Sequence, residues 1–153
     1  MRQLWIKFLY WGARIYWRLF QPLTVGVKVM LIQDDRVLLV RHTYQPGWFF
    51  PGGGVKRKET LETAVRREAR EEIGATLGPL HLFGIYTHLD KYKSDHMILF
   101  LCRDFQLHGS SDPEIAAAQF FPLDQLPPDT SIGTSRRIQE YQTGHLAPDI
   151  STW

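Results

Sequence analysis

The sequence predicts an α/β (α+β) domain in which a mixed β-sheet lies between helices. Three observations carry this prediction: several β-branched apolar runs follow one another, one amphipathic helix interrupts them, and a second helix follows the last run. The 153 residues suffice for one domain with its own core and are too few for two. We therefore expect one domain in residues 22–153, preceded by an extra N-terminal amphipathic aromatic helix in residues 1–21.

Residues 3–20, QLWIKFLYWGARIYWRLF, are the compositional outlier. Lys7, Arg14 and Arg18 fall close together on a helical wheel, and aromatic and aliphatic side chains cover most of the remainder. Charge and Gly12 interrupt the apolar length that a membrane span requires, and no small-residue cleavage site of a secretory signal follows. Three interpretations remain: the helix packs on its own domain or in a homodimer, it lies on a membrane surface, or it is a signal anchor.

The strands are predicted from runs of β-branched and aromatic residues bounded by turn residues. The first two runs form a hairpin across Asp34 and Asp35, and a polar loop joins the third run to the fourth. The last run is a short strand that leads into a turn. The predicted strands cover residues 24–33, 36–44, 80–89, 95–107 and 119–127.

The internal helix is predicted between Thr60, which can cap it, and Gly74, a natural C-terminal stop. Its apolar residues recur at the three-to-four spacing of one buried face, beginning at Leu61. A last helix is predicted from Ser135 to Thr143.

Charge and cysteine content restrict the functional class. A formal net charge of +2 does not predict the basic face that nucleic-acid binding requires, so we expect no nucleic-acid partner. The single cysteine, Cys102, lies in an apolar run and excludes an intrachain disulfide, which favours a reducing compartment. We therefore expect a cytoplasmic protein, with peripheral membrane contact if residues 3–20 provide it.

A triple glycine, Gly52 to Gly54, precedes a helix that carries several carboxylates. Glu68, Glu71 and Glu72 lie three and four residues apart, so they share one helix face and repel one another. Neighbouring arginines can neutralise them on a solvated face. Alternatively, a hard divalent cation binds them, and the glycines let backbone groups approach the metal and a phosphate.

The spacing of these residues favours the second interpretation. From Gly53 the chain has five residues, Glu59, seven residues, Arg67-Glu68, two residues, Glu71-Glu72, one residue and Gly74. This pattern closely resembles the signature of the Nudix hydrolases, G-x5-E-x7-R-E-U-x-E-E-x-G-U, where U is a bulky aliphatic residue. Alanine occupies two of the U positions, and the resemblance extends through the preceding strands and the closing QFFPLDQLP.

The resemblance implies an α/β/α sandwich and a pyrophosphohydrolase that uses Mg²⁺ or Mn²⁺ to cleave the diphosphate bond of a nucleotide or of a nucleoside diphosphate linked to another moiety. It implies that Arg67 orients the carboxylates through a glutamate such as Glu59, and that Glu68 or Glu71 accepts a proton from the attacking water. The implied metal ligands are Glu68, Glu71, Glu72, the Gly52 carbonyl and, from a later loop, Glu114. The other class left open is a Nudix-like module that binds or senses a nucleotide without turnover.

Substrate-binding residues are expected around the glycines. Arg41 and Tyr44 lie on the strand that enters this segment, and Trp48 precedes it, where it either stacks on a base or packs in the core. Gly53 and Gly54 offer backbone groups to the substrate. Tyr92 falls where family members that hydrolyse diadenosine polyphosphates often carry a tyrosine.

Overall fold

The computed structural model describes residues 23–90, 93–109, 112–144 and 149–153. The expected helix in residues 1–21 lies outside the described residues, and so does Tyr92. In chain order the elements are β1 (Leu23–Gln33), β2 (Arg36–His42), β3 (Gly52–Gly54), α1 (Leu61–Ile73), β4 (Ala75–Leu77), β5 (His81–Asp90), β6 (Lys93–Cys102), β7 (Phe105–Leu107), β8 (Ile115–Pro122), α2 (Ile132–Gln142) and β9 (Asp149–Thr152). Neither described helix is long and apolar enough to cross a membrane.

The main sheet has seven described strands and is mixed, as the sequence predicts. Its order is β8-β2-β1-β6-β5-β9, and β3 pairs with β1 beside this path. β1 is parallel to β6, and β5 is parallel to β9, whereas the other pairs are antiparallel. The predicted hairpin of β1 and β2 is confirmed, and Asp34 and Asp35 turn it with positive φ angles of 49° and 55°.

Two apolar clusters cover the two faces of this sheet. On β1, Val27 and Val29 belong to the cluster under α1, while the alternating residue Met30 belongs to the cluster that includes Ile138 of α2. Successive side chains of a strand point to opposite faces, so both faces of this strand are buried between helices. The arrangement is the expected three-layer α/β/α sandwich.

Local caps explain the limits of both helices. Thr60 accepts a hydrogen bond from the backbone amide of Thr63 at 3.1 Å, and Gly74 ends α1 in the left-handed region with φ 61°. The predicted limits of α1 are therefore confirmed. α2 begins three residues earlier than predicted, because Ser131 caps it by accepting from the amide of Thr134 at 3.2 Å.

The last predicted strand, residues 119–127, is wrong in its limits, because β8 begins at Ile115 and ends at Pro122. The remaining differences from the prediction are short strands. The predicted run 95–107 is interrupted at Arg103 and Asp104, beyond which β7 leaves the main sheet and pairs with β4. β9 adds a parallel edge strand beside β5, in a segment for which the sequence predicts no strand. The glycines form a three-residue strand against β1, which the sequence does not predict.

Candidate active site

The glycine strand β3 and the carboxylate face of α1 meet at one edge of the sheet. The backbone amide of Gly52 donates to Glu72 Oε2 at 2.8 Å. A Cβ atom placed on Gly53 would lie 2.7 Å from the Glu68 carboxyl carbon, and one placed on Gly52 would lie 2.1 Å from a backbone oxygen of β1. Glycine is therefore required at Gly52, where a side chain would displace a strand backbone, whereas a side chain at Gly53 would displace the carboxylate of Glu68.

Arg67 joins three of the glutamates to one another. Its Nε and Nη2 atoms donate to the two carboxylate oxygens of Glu59 at 2.8 and 2.9 Å, which forms a bidentate pair. Its Nη1 atom donates to Glu68 at 2.6 Å and to Glu71 at 3.1 Å, and Nη2 also donates to the carbonyl oxygen of Gly54 at 3.1 Å. One guanidinium thus fixes the positions of three carboxylates relative to the glycine strand.

These contacts shift the proton affinities of the pair. Hydrogen bonds from Arg67 lower the pKa of Glu59 to about 2, and the backbone amide of Lys56 adds to the effect. The same hydrogen bonds raise the pKa of Arg67 further above its usual value. Both side chains therefore stay charged throughout the neutral range.

Glu72 lies in a different environment from the other glutamates. Only 9% of its surface is exposed, and burial raises its pKa from 4.5 to about 7. The Gly52 amide and the positive charge of Lys28 oppose this rise, while Glu68 and Asp112 add to it. A buried carboxylate that is not fully ionised at neutral pH gains much from an added positive charge.

The donor set suits a hard divalent cation, although the carboxylates of Glu68, Glu71 and Glu72 do not converge on one point. Among the described residues, no group of three or more His, Cys, Asp and Glu side chains is gathered closely enough to hold a metal ion. Glu68 and Glu71 instead contact Arg67, and Glu72 contacts the Gly52 amide. Carboxylate oxygens are the ligands that Mg²⁺ prefers, and Gly53 leaves room beside Glu68, so the chemistry of the residues fits the metal.

A cavity of about 410 Å³ opens on the face of the sheet opposite α1. It reaches the glycine strand at Gly52 and the first turn of α2 at Gly133. We call it the Lys28 cavity; its walls include Lys28, His42, Tyr44, Phe49, Met97 and Trp153.

The predicted substrate residues lie at different depths. Tyr44 is 66% exposed, stacks on His42 with ring centroids 5.1 Å apart, and lines the Lys28 cavity. Arg41 pairs with Asp129 at 2.6 Å and covers the ring of Trp48. Trp48 itself is buried and packs edge-on against a neighbouring phenylalanine, which is the core packing that the sequence left open.

Glu114 lies in the turn directly before β8, in a loop after α1. Its carbonyl oxygen accepts from the amide of Thr43, and its charge acts on His42 and Tyr44. Asp112, two residues earlier, acts on Glu72 and lines a cavity of about 400 Å³ together with it. Sequence reasoning did not consider Asp112.

A family model for the NUDIX domain matches residues 22–141, which is most of the chain. The chain belongs to the Nudix family.

Curated Nudix relatives carry several functional names. An ADP-ribose pyrophosphatase of Methanocaldococcus jannaschii is 32% identical over 116 residues, which cover 72% of this chain and 69% of that protein. The NAD-capped RNA hydrolase NudC of Vibrio vulnificus is 32% identical over 133 residues, covering 84% of this chain and 48% of that protein. An RNA pyrophosphohydrolase of Legionella pneumophila is 31% identical over 103 residues, covering 67% of this chain and 55% of that protein. The matches to the last two thus span only about half of those proteins.

Solved structures show the same fold. A MutT Nudix hydrolase from Burkholderia pseudomallei has a TM-score of 0.71 and 27% identity, with 77% of this chain and 97% of that chain covered. A Nudix hydrolase from Nitrosomonas europaea has a TM-score of 0.72 at 24% identity, with 83% and 93% covered. The chain is therefore a Nudix hydrolase with the α/β/α architecture of the family.

Two residues of this Nudix domain that sequence reasoning missed line the cavity. Lys28 lies between valines in the run VGVKVML. A lysine inside an apolar strand is the sequence feature that could have indicated a site residue. Trp153 directly follows β9, a strand without a periodic pattern in the sequence, and β9 brings it to the cavity. His42, which has no metal-ligand spacing in the sequence, also lies on the cavity wall.

Proposed function

We propose that this Nudix hydrolase uses Mg²⁺ or Mn²⁺ to hydrolyse the diphosphate bond of a nucleotide, or of a nucleoside diphosphate linked to another moiety. The observation that carries the proposal is the convergence of β3 and α1. Carboxylates ordered by Arg67 meet a strand of glycines there, beside the Lys28 cavity. Metal and phosphate would occupy the glycine edge, and the rest of the substrate would extend from it.

The metal would neutralise phosphate charge and lower the pKa of a bound water. The buried carboxylate of Glu72 would bind it fully ionised, because an added cation opposes the burial that now raises its pKa. Glu68 or Glu71 would accept the proton of the attacking water, and Arg67 with Glu59 would hold both in position. The proposed ligands are Glu68, Glu71, Glu72 and the Gly52 carbonyl, with Glu114 as a further ligand.

The substrate class is supported by the names of the relatives and by the cavity. The relatives are named for ADP-ribose, RNA and NAD-capped RNA, and both ADP-ribose and NAD contain a diphosphate attached to a nucleoside. RNA is therefore a candidate substrate, and cleavage of RNA would contradict our expectation of no nucleic-acid partner. Arg41 and Tyr44 border the cavity region, Gly53 and Gly54 offer backbone groups, and Tyr92 keeps its predicted role.

A substrate panel tests this function. Free nucleoside triphosphates, nucleotide sugars, dinucleoside polyphosphates, dinucleotide cofactors and 5′-triphosphorylated RNA are incubated with Mg²⁺, Mn²⁺ or a chelator, and phosphorus NMR locates the broken bond. We expect metal-dependent release of a nucleoside monophosphate or of inorganic pyrophosphate. Binding without cleavage across the panel would contradict the proposal and would favour the nucleotide-binding module.

Residues 3–20 are proposed to localise the enzyme, either in a homodimer or at a membrane surface. Flotation with liposomes compares the full chain with a chain that begins at Gln21. Lipid-dependent flotation of the full chain alone identifies a membrane element, and a change of oligomeric state without flotation identifies a dimer helix.

A further inference from the structure

The Lys28 cavity lies on the opposite face of the sheet from the carboxylates. Val27 and Val29 pack in the cluster under α1, so the side chain of Lys28 between them points toward α2. Lys28 is also the register partner of Gly52, whose amide contacts Glu72. A substrate with its diphosphate at the glycine edge can therefore extend its next moiety into this cavity.

Lys28 is the basic side chain of the cavity wall that retains donors for a ligand. Its Nζ atom donates to the carbonyl oxygen of Phe50 at 3.2 Å, which uses one of its hydrogens. Burial lowers the pKa of Lys28, but an amine and an ammonium group both keep at least one further N–H. The cavity thus presents a hydrogen-bond donor to any group that enters it.

Flat apolar groups form other parts of the cavity wall. Trp153 packs edge-on against Tyr86 with ring centroids 5.5 Å apart, and it lies directly against Gly133, where a Cβ atom would be 2.0 Å from its Nε1. Phe49 and Met97 also line the cavity. Fixed aromatic and thioether surfaces of this kind favour a planar ring as ligand.

Other polar side chains also line the cavity wall, among them Gln45, His88, Asp95 and Ser131. Asp95 Oδ1 accepts a hydrogen bond from the hydroxyl of Thr24, and Asp95 has a further interaction. Nδ1 of His42 is buried without a hydrogen-bond partner in the described part of the chain. Burial, with the charge of Lys28 adding to it, lowers the pKa of His42, while Glu114 and Asp112 oppose the shift.

We propose that the Lys28 cavity binds the nucleobase of the substrate and that Lys28 selects a base with a carbonyl oxygen on its ring edge, such as hypoxanthine or guanine, over adenine. This inference rests on the proposed function for the position of the diphosphate. A carbonyl accepts from Nζ, whereas the amino group of adenine presents a donor to a donor. A site built to donate to a ligand discriminates strongly against an analogue that leaves the donor unpaired.

The test compares inosine 5′-monophosphate with adenosine 5′-monophosphate, which differ on the six-membered ring edge that carries the carbonyl or the amino group. Dissociation constants are measured by calorimetry in Mg²⁺ for the wild type, Lys28→Met and Lys56→Met. We expect the wild type to bind the inosine ligand at least about tenfold more tightly, because adenine would leave a buried donor unpaired. Lys28→Met, which keeps the chain length without donors, should bring the ratio close to one.

Lys56→Met is the matched control, because Lys56 is an exposed lysine in the segment before α1. It should leave the ratio of the two constants unchanged, whatever it does to each. Equal affinities in the wild type would overturn the inference without any variant. A Lys28→Met protein that loses both ligands by the same factor would also overturn it, because a phosphate contact weakens both nucleotides alike.

The inference and the proposed function fail in different ways. Hydrolysis with equal kcat/KM for inosine and adenosine triphosphates and equal affinities would leave the function standing and refute base selection by Lys28. A tenfold affinity ratio that Lys28→Met removes, in a protein that cleaves no substrate of the panel, would support the selection and refute the hydrolase function.

Discussion

Replacing Glu72 with glutamine tests the electrostatics of the site without reference to any substrate. Glutamine keeps the size of the side chain and an oxygen that can accept from the Gly52 amide, but it carries no charge. In metal-free protein the ionised form of Glu72 opposes folding, because burial holds its pKa in the folded state above that of an exposed carboxyl group. We therefore expect Glu72→Gln to be more stable than the wild type at alkaline pH.

The size of the effect follows from the shift. A carboxyl group whose pKa rises from 4.5 to about 7 on folding stabilises the fold fully below pH 4.5, and this contribution is lost as the pH rises through about 7. At pH 8 the loss is roughly 3 kcal/mol, which corresponds to about 6 to 12 °C in the melting temperature of a domain of this size. Glu72→Gln should recover most of this difference at pH 8 and none of it at pH 4.

The assay is thermal unfolding with a chelator at several pH values between 4 and 8.5. Glu62→Gln is the matched control, since Glu62 lies on the same helix, pairs with Arg66 and has 63% of its side chain exposed. Its melting temperature should follow the wild type at every pH. A Glu72→Gln protein that is no more stable than the wild type at pH 8 would refute the burial and the raised pKa assigned to Glu72.

Two further predictions concern the residues that hold the carboxylates. Arg67→Met should raise the pKa of Glu59 from about 2 toward 4.5, because the hydrogen bonding from Arg67 is the largest cause of the low pKa. Carbon-detected NMR titration of the Glu59 carboxyl group measures this pKa. An unchanged value would contradict the bidentate pair. Gly52→Ala should lower the free energy of unfolding by roughly 2 to 4 kcal/mol, since the residue has φ 142° and its Cβ would meet a strand backbone. Gly54→Ala, whose Cβ would have no atom within 4 Å, should change it by less than about 0.5 kcal/mol in chemical denaturation; equal losses in the two variants would contradict the close approach of β3 to β1.

The helices and the hairpin were predictable because their signals are local. Thr60 and Gly74 mark the ends of α1 within the sequence itself, and the apolar spacing between them gives its buried face. The three glutamates on one face of that helix follow from the same spacing. The sequence signature then supplied the family, which a match to residues 22–141 shows.

The contacts between distant segments were not predictable from periodicity. The pairing of Gly52 with Lys28 joins residues that no local pattern relates, and it alone places the amide of β3 on Glu72. The burial that raises the pKa of Glu72 depends on this pairing. Helical spacing alone therefore does not distinguish Glu72 from Glu68 and Glu71. β9 has four residues and no periodicity long enough to detect, yet it brings Trp153 to the cavity.

The measurement that tests the central claim most directly is the kcat of Glu72→Gln on the substrate that the panel identifies, at saturating Mg²⁺ and pH 8, beside Glu62→Gln. The proposed hydrolase loses at least about 100-fold in Glu72→Gln, although that protein is folded and more stable without metal, and it keeps its full rate in Glu62→Gln. Turnover of folded Glu72→Gln at the wild-type rate would contradict the assignment of the α1 carboxylates as the catalytic metal site.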